Sequence, residues 1–113
     1  MDISNDNAKT IEELHILEHN LQNTLAQKQM FQVELQEVEN ALLELKKTND
    51  EVYKILSGVM MRAEKEDLIK ELEEKKRFLE LRISSIEKQE RILGDRSTKL
   101  REKLKVSINK ERK

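Results

Sequence analysis

Few side chains in this sequence are spaced to do chemistry, and those that are lack the partners that chemistry needs. His15 and His19 lie four residues apart, a spacing that lets two imidazoles on one helix face share a zinc ion. No third ligand accompanies them, so the pair reads as two solvated surface side chains. Asp and Glu number 23, but they are spread along helical stretches and no pocket gathers two of them for acid–base work. No cysteine is present, which removes thiolate nucleophiles, disulfides and cysteine zinc sites. No glycine-rich loop is available to cradle phosphates. No catalytic residue, cofactor or metal is assigned, and the chain is not expected to be an enzyme.

The elements around these residues explain why. The chain has 113 residues, of which 40% are charged and 3% aromatic, with two glycines and no proline. Such a chain is too polar for a large globular core and too poor in breakers for a disordered one; it suits long helices. The N-terminus lacks the basic start and apolar run of a leader, and no apolar stretch approaches the roughly 20 residues that span a bilayer. A soluble, cytoplasmic protein of one domain (residues 1–113) is expected, with neither membrane nor nucleic acid as partner. The basic run from Arg96 to Lys113 has interspersed Leu and Ile and an acidic counterpart, which argues against a nucleic-acid surface.

Two heptad segments are legible. The first, residues 10–48, has seam rows Leu14, Leu21, Lys28, Leu35, Leu42 and Leu17, Thr24, Phe31, Val38, Leu45, eight of ten apolar. Thr10 with Glu13 reads as a capping box opening that helix. The second, residues 64–109, has Leu72, Leu79, Ile86, Leu93 and Leu100 every seven residues, with Lys76, Glu90 and Ser97 in a more polar companion row. Gly94 interrupts it, but the spacing from Leu93 to Leu100 holds, so one helix is expected. The rows are out of phase with each other by two residues, which favours two helices over one continuous rod. Residues 10–48 carry three basic and seven acidic side chains, and residues 64–113 carry sixteen and twelve. These opposite balances favour two helices side by side, and the ends favour an antiparallel pair, since residues 1–20 hold one Lys and five acids while residues 96–113 hold eight basic residues and two acids; the helices are on the order of 60–70 Å long.

Between the segments, residues 51–63 are the most apolar stretch. Val52, Tyr53, Ile55 and Val59 favour strands, and Ser57-Gly58 suits a two-residue hairpin turn. Two strands, Val52–Leu56 and Val59–Ala63, are expected; a helical connector with one tolerated glycine is the alternative. A lone hairpin is marginal in water and has open edges. Such a hairpin, with an apolar set and no core of its own, calls for hairpins from other subunits.

Val52-Tyr53-Lys54, followed by Gly58-Val59-Met60-Met61 and charges leading into a Leu-rich helix, resembles the hairpin of prefoldin beta subunits. Gln27-Lys28-Gln29 and Ile86-Glu87-Lys88-Gln89-Glu90 are similar to that family as well, and the likeness covers about residues 10–110. Ser57 departs from it, since family members often have glycine there. The resemblance implies a mainly α fold, an antiparallel two-helix coiled coil with one β-hairpin, whose hairpins assemble into an oligomeric β-barrel. It implies two alpha-type and four beta-type subunits, an ATP-independent chaperone activity towards unfolded proteins, and transfer of those clients to a group II chaperonin. A single hairpin makes this chain beta-type. Assembly would then use Val52, Tyr53, Ile55, Leu56, Gly58, Val59, Met60 and Met61. Client binding would use Ile11, Leu14, Leu17, Leu100, Leu104 and Ile108, apolar residues that could equally complete the coiled coil. A plain coiled-coil scaffold without clients is the alternative function.

Overall fold

In the computed structural model, which describes residues 3–111, the order is α1 (Ile3–Lys47), β1 (Val52–Leu56), β2 (Val59–Ala63) and α2 (Lys65–Glu111). Met1 and Asp2 of the N-terminal stretch, and Arg112 and Lys113 of the basic run, lie outside the described residues, as does the side chain of Ile3. The connector is a hairpin, not a helix. Its strands are antiparallel, with Val52 opposite Ala63 and Leu56 opposite Val59. Ser57 and Gly58 both have positive φ, 51° and 79°, the type I′ turn whose twist matches that of the flanking strands.

The first helix starts earlier than the capping box implied. Thr10 is buried inside α1, and its hydroxyl donates to the Asp6 carbonyl at 2.9 Å instead of accepting from the first turn. The reason lies in the repeat. Thr10 is one heptad before Leu17, and Asn7, one heptad before Leu14, is half-buried as well. The seam therefore continues a full heptad towards the N-terminus, and no proline or glycine stops it. At the other end, Lys46 and Lys47 occupy the last turn, where the helix dipole favours cations. The Thr48 amide donates to the Glu44 carbonyl, and Lys65 Nζ donates to the Thr48 carbonyl at 2.7 Å. The second helix opens with the Leu68 amide donating to the Glu64 carbonyl, and Glu66 and Asp67 lie in its first turn. It runs unbroken through Gly94.

All ten seam positions read in the first helix are buried or half-buried. In α2 the same holds for Leu72, Leu79, Ile86, Leu93 and Leu100, and for the companion row Ile69, Lys76, Ile83, Glu90, Ser97 and Leu104. The chain divides into two compact units. Residues 29–84 hold the hydrophobic cluster Val38, Leu42 and Leu79, with Phe31, Leu35, Ile69 and Leu72 packed against it. Leu79, 1% exposed, is its most enclosed side chain. The Arg82 guanidinium lies 5.5 Å from the Phe31 ring centre, and Lys75 pairs with Glu34 at 3.0 Å. The other unit joins residues up to Lys28 with those from Ser85 onward. There the buried set is Leu14 and Ile86 together with Thr10, Thr24 and Ser97, so its seam is more polar.

A Cβ added at Gly94 would meet nothing within 4 Å. Gly94→Ala therefore removes the helix penalty of glycine without a clash, and is expected to stabilise the chain by about 1 kcal/mol. Thermal unfolding followed by far-UV circular dichroism should show a higher midpoint; a lower one would mean that the space at Gly94 serves packing.

Candidate functional site

The hairpin belongs to the unit of residues 29–84. Successive strand residues point to opposite faces. Tyr53 and Ile55 share one face with Met60 and Arg62; Val52, Lys54 and Leu56 share the other with Val59, Met61 and Ala63. The base of the hairpin is tied to its unit. Val52 is half-buried and lines a shallow hollow with Leu45, Leu68 and Leu72. Lys54 reaches Glu71 at 3.6 Å, and Glu51 receives both Tyr53 Oη–H, at 2.9 Å, and Arg62, at 3.0 Å.

Beyond that base the apolar side chains face water. Ile55 is 70% exposed and Met60 66%, and Leu56, Val59, Tyr53 and Met61 are also exposed. The sheet has only these two strands, so each keeps one edge with unpaired amides and carbonyls. Exposed apolar groups on both faces, together with two open edges, leave this end of the hairpin without partners among the described residues. Of the assembly residues read from sequence, the structure thus places Ile55, Leu56, Val59 and Met60 at the open end, while Val52 is engaged at the base. Gly58 supplies half of the turn.

The six residues read as client-binding are distributed differently, all in the unit that includes both helix ends. Leu14 is buried, Leu17, Leu100 and Leu104 are half-buried, and Ile11 and Ile108 are exposed. Leu17 and Leu100 come together in an open groove of about 530 Å³, lined also by Glu13, Ile16, Asn20, Arg96 and Lys99. Ile11, Leu14, Leu104 and Ile108 do not line it. Ile16 is more exposed than either leucine, at 56%, because it lies off the seam by one residue from Leu17.

One feature of this unit was not read from sequence. Lys28, the polar member of an otherwise apolar row, and Glu90, of the more polar companion row, meet at 3.0 Å with side chains only 21% and 28% exposed. The antiparallel pairing of the rows is the signal that joins them. A shift of one heptad would set Lys28 against Ile83 or Ser97, neither of which answers its charge. His15 and His19 are both exposed. Among the described residues no cluster of three or more His, Cys, Asp or Glu is placed to hold a metal ion. No described helix is long and apolar enough to cross a membrane.

Two long helices joined through a hairpin with an unshared apolar surface define a coiled-coil assembly subunit. The model of the prefoldin subunit family matches residues 8–111, and the chain belongs to that family, whose members are chaperone subunits. It is 38% identical over 96 residues to prefoldin subunit beta of Archaeoglobus fulgidus, covering 83% of each chain. It is 36% identical over 97 residues to prefoldin subunit beta of Methanospirillum hungatei, covering 84% of this chain and 81% of that one. Its fold is similar to the crystal structure of the prefoldin beta subunit from Thermococcus strain KS-1, with a TM-score of 0.87, 28% identity, and coverage of 94% and 95%.

The seam ion pair generates a stability prediction. Glu90→Leu leaves the Lys28 ammonium in the seam without its partner and should cost about 1–3 kcal/mol. Lys28→Leu combined with Glu90→Leu should recover that loss, since an apolar pair needs no desolvated charge. Urea unfolding of the two singles and the double measures the coupling, and additive losses would show that the pair is not coupled.

Proposed function

We propose that this chain is the beta-type subunit of a cytoplasmic, ATP-independent chaperone hexamer, four copies joining two alpha-type subunits through their hairpins. In this reading the hairpins pair edge to edge into a β-barrel. The helix ends hold unfolded proteins, which pass to a group II chaperonin. One observation carries the assembly: Ile55, Leu56, Val59 and Met60 are exposed on a two-stranded sheet with both edges open. Burying such groups is worth roughly 1.5–3 kcal/mol per large apolar side chain, and closing the barrel would also satisfy the edge amides and carbonyls.

The client-holding reading is supported by the unit containing both helix ends. Its apolar residues are shared between the seam and the surface, with Ile11, Ile16, Val106 and Ile108 exposed. Exposed apolar groups bind unfolded chains without sequence specificity, by removing apolar area from water. The dense charge around them keeps the helices from associating indiscriminately.

The test is the native mass of the complex that co-purifies with this chain from its own cells. A hexamer with a second small helical protein is expected; a monomer or simple dimer would favour a coiled-coil scaffold. Ile55→Glu or Val59→Glu should disperse that complex while far-UV circular dichroism reports unchanged helical content. Deleting residues 1–10 and 105–113 should leave the complex assembled but weaken its suppression of aggregation of a denatured client. Loss of the oligomer on that truncation would overturn the assignment of client holding to the helix ends.

A further inference from the structure

The groove of Leu17 and Leu100 has a charge asymmetry that limits what it can hold. Its floor is apolar, formed by Ile16, Leu17 and Leu100, and its α2 wall carries Arg96 and Lys99, one helical turn apart. The α1 wall offers Glu13 and the neutral Asn20. Among the described residues neither Arg96 nor Lys99 has an ion-pair partner; the neighbouring Arg101 is instead engaged by Glu18. The heptad repeat extends this flank. Ile92 and Val106, one heptad either side of Lys99, are 59% and 55% exposed, and Lys103 lies one heptad after Arg96. On α1, the same flank adds Lys9, one heptad before Ile16, and Asp6, one heptad before Glu13. Within residues 5–28 and 85–106 the flank therefore carries Lys9, Arg96, Lys99 and Lys103 against Asp6 and Glu13.

We propose that this groove selects, among unfolded segments, apolar stretches flanked by acidic residues. The inference rests on the client-holding reading above and names the class of segment held. The apolar floor supplies affinity by burial, whatever the sequence. The unpaired cations supply the preference: a carboxylate beside the apolar stretch gains a partner, and an ammonium there is repelled. Because the groove is open to water, each such pair is modest and screened by salt. The selectivity is therefore graded, favouring one kind of segment without excluding others.

The test uses the assembled complex purified with this chain and two fluorescent peptides. Both share one Leu- and Ile-rich centre; one is flanked by three glutamates on each side, the other by three lysines. Fluorescence anisotropy at low salt should show the acidic-flanked peptide binding roughly five-fold tighter. The advantage should shrink as salt is raised, vanish in Arg96→Gln with Lys99→Gln, and invert in Arg96→Glu with Lys99→Glu. These side chains line an open groove, so circular dichroism and native mass of the variants should be unchanged and serve as the folding control. Equal affinity for the two peptides, or a preference that survives the charge reversal in a folded complex, overturns the proposal. If neither peptide binds and the complex also fails to suppress client aggregation, the client-holding reading itself falls, and this inference with it.

Discussion

Two helices packed on each other can bury only one stripe apiece, and the remainder of this molecule follows from that limit. Each stripe repeats in the 4-3 pattern of a seam, and every other face meets water. A chain built this way must be rich in charge, and it is. Among the described residues the enclosed side chains form the seam, and the hollow and groove described above lie open at its flanks. The seam also has little surplus. Among the described residues Leu79 is the most enclosed side chain, so the polar interruptions at Lys28, Thr24, Glu90 and Ser97 matter more than they would in a thick core. Lys28 and Glu90 answer each other, the Thr24 hydroxyl donates back to the Asn20 carbonyl at 2.8 Å, and among the described residues no buried side-chain polar atom lacks a hydrogen-bond partner.

The seam and the hairpin are not independent. Antiparallel rows in the right register bring Lys65 to the Thr48 carbonyl, Lys54 to Glu71 and Val52 to Leu68 and Leu72. These contacts hold the base of the hairpin and leave its apolar end clear of the helices. The turn adds its own constraint. Ser57 sits at φ 51°, a conformation that side chains other than glycine adopt reluctantly. The strain is accepted where a type I′ turn keeps the two strands twisted together, with Leu56 and Val59 opposite each other at the exposed end.

Much of this was legible in the sequence because periodicity reports burial directly. The rows through Leu14, Leu17, Leu72 and Leu79 needed no tertiary information, and the two-residue phase difference separated the helices. The hairpin was legible because Ser57-Gly58 sits between two short apolar runs in which Val52, Tyr53, Ile55 and Val59 favour strands. Local signals failed where the decision was not local. Thr10 and Glu13 match a capping box residue for residue, yet one more heptad of seam, through Asn7 and Thr10, carries the helix on to Ile3. Lys28 with Glu90 is invisible to any scan of one segment, since 62 residues separate them. The same holds for the groove. Leu17 and Leu100 looked like two ends of a coiled coil, and only their juxtaposition beside Arg96 and Lys99 makes a surface with a sign. Leu14, chosen from sequence on equal grounds, is buried in the seam.

The two surfaces left open differ in what they ask of a partner. A sheet edge offers backbone donors and acceptors at fixed intervals, so a partner must be an extended strand in register. That demand is stringent and suits association with a few defined chains, such as the hairpins of sister subunits. The groove beside Leu17 and Leu100 offers nothing of the kind, because helix backbones satisfy their own amides and carbonyls. It presents side chains alone: apolar surface, two cations, an amide and one carboxylate. Such a surface fixes neither the conformation nor the register of what it holds, and asks only for apolar area with a tolerable charge beside it. In the function proposed above, a demanding backbone edge and an undemanding side-chain groove on one short chain would separate the choice of permanent partners from the choice of passing ones. Substitutions at Arg96 or Lys99 would then retune the second choice without disturbing the first.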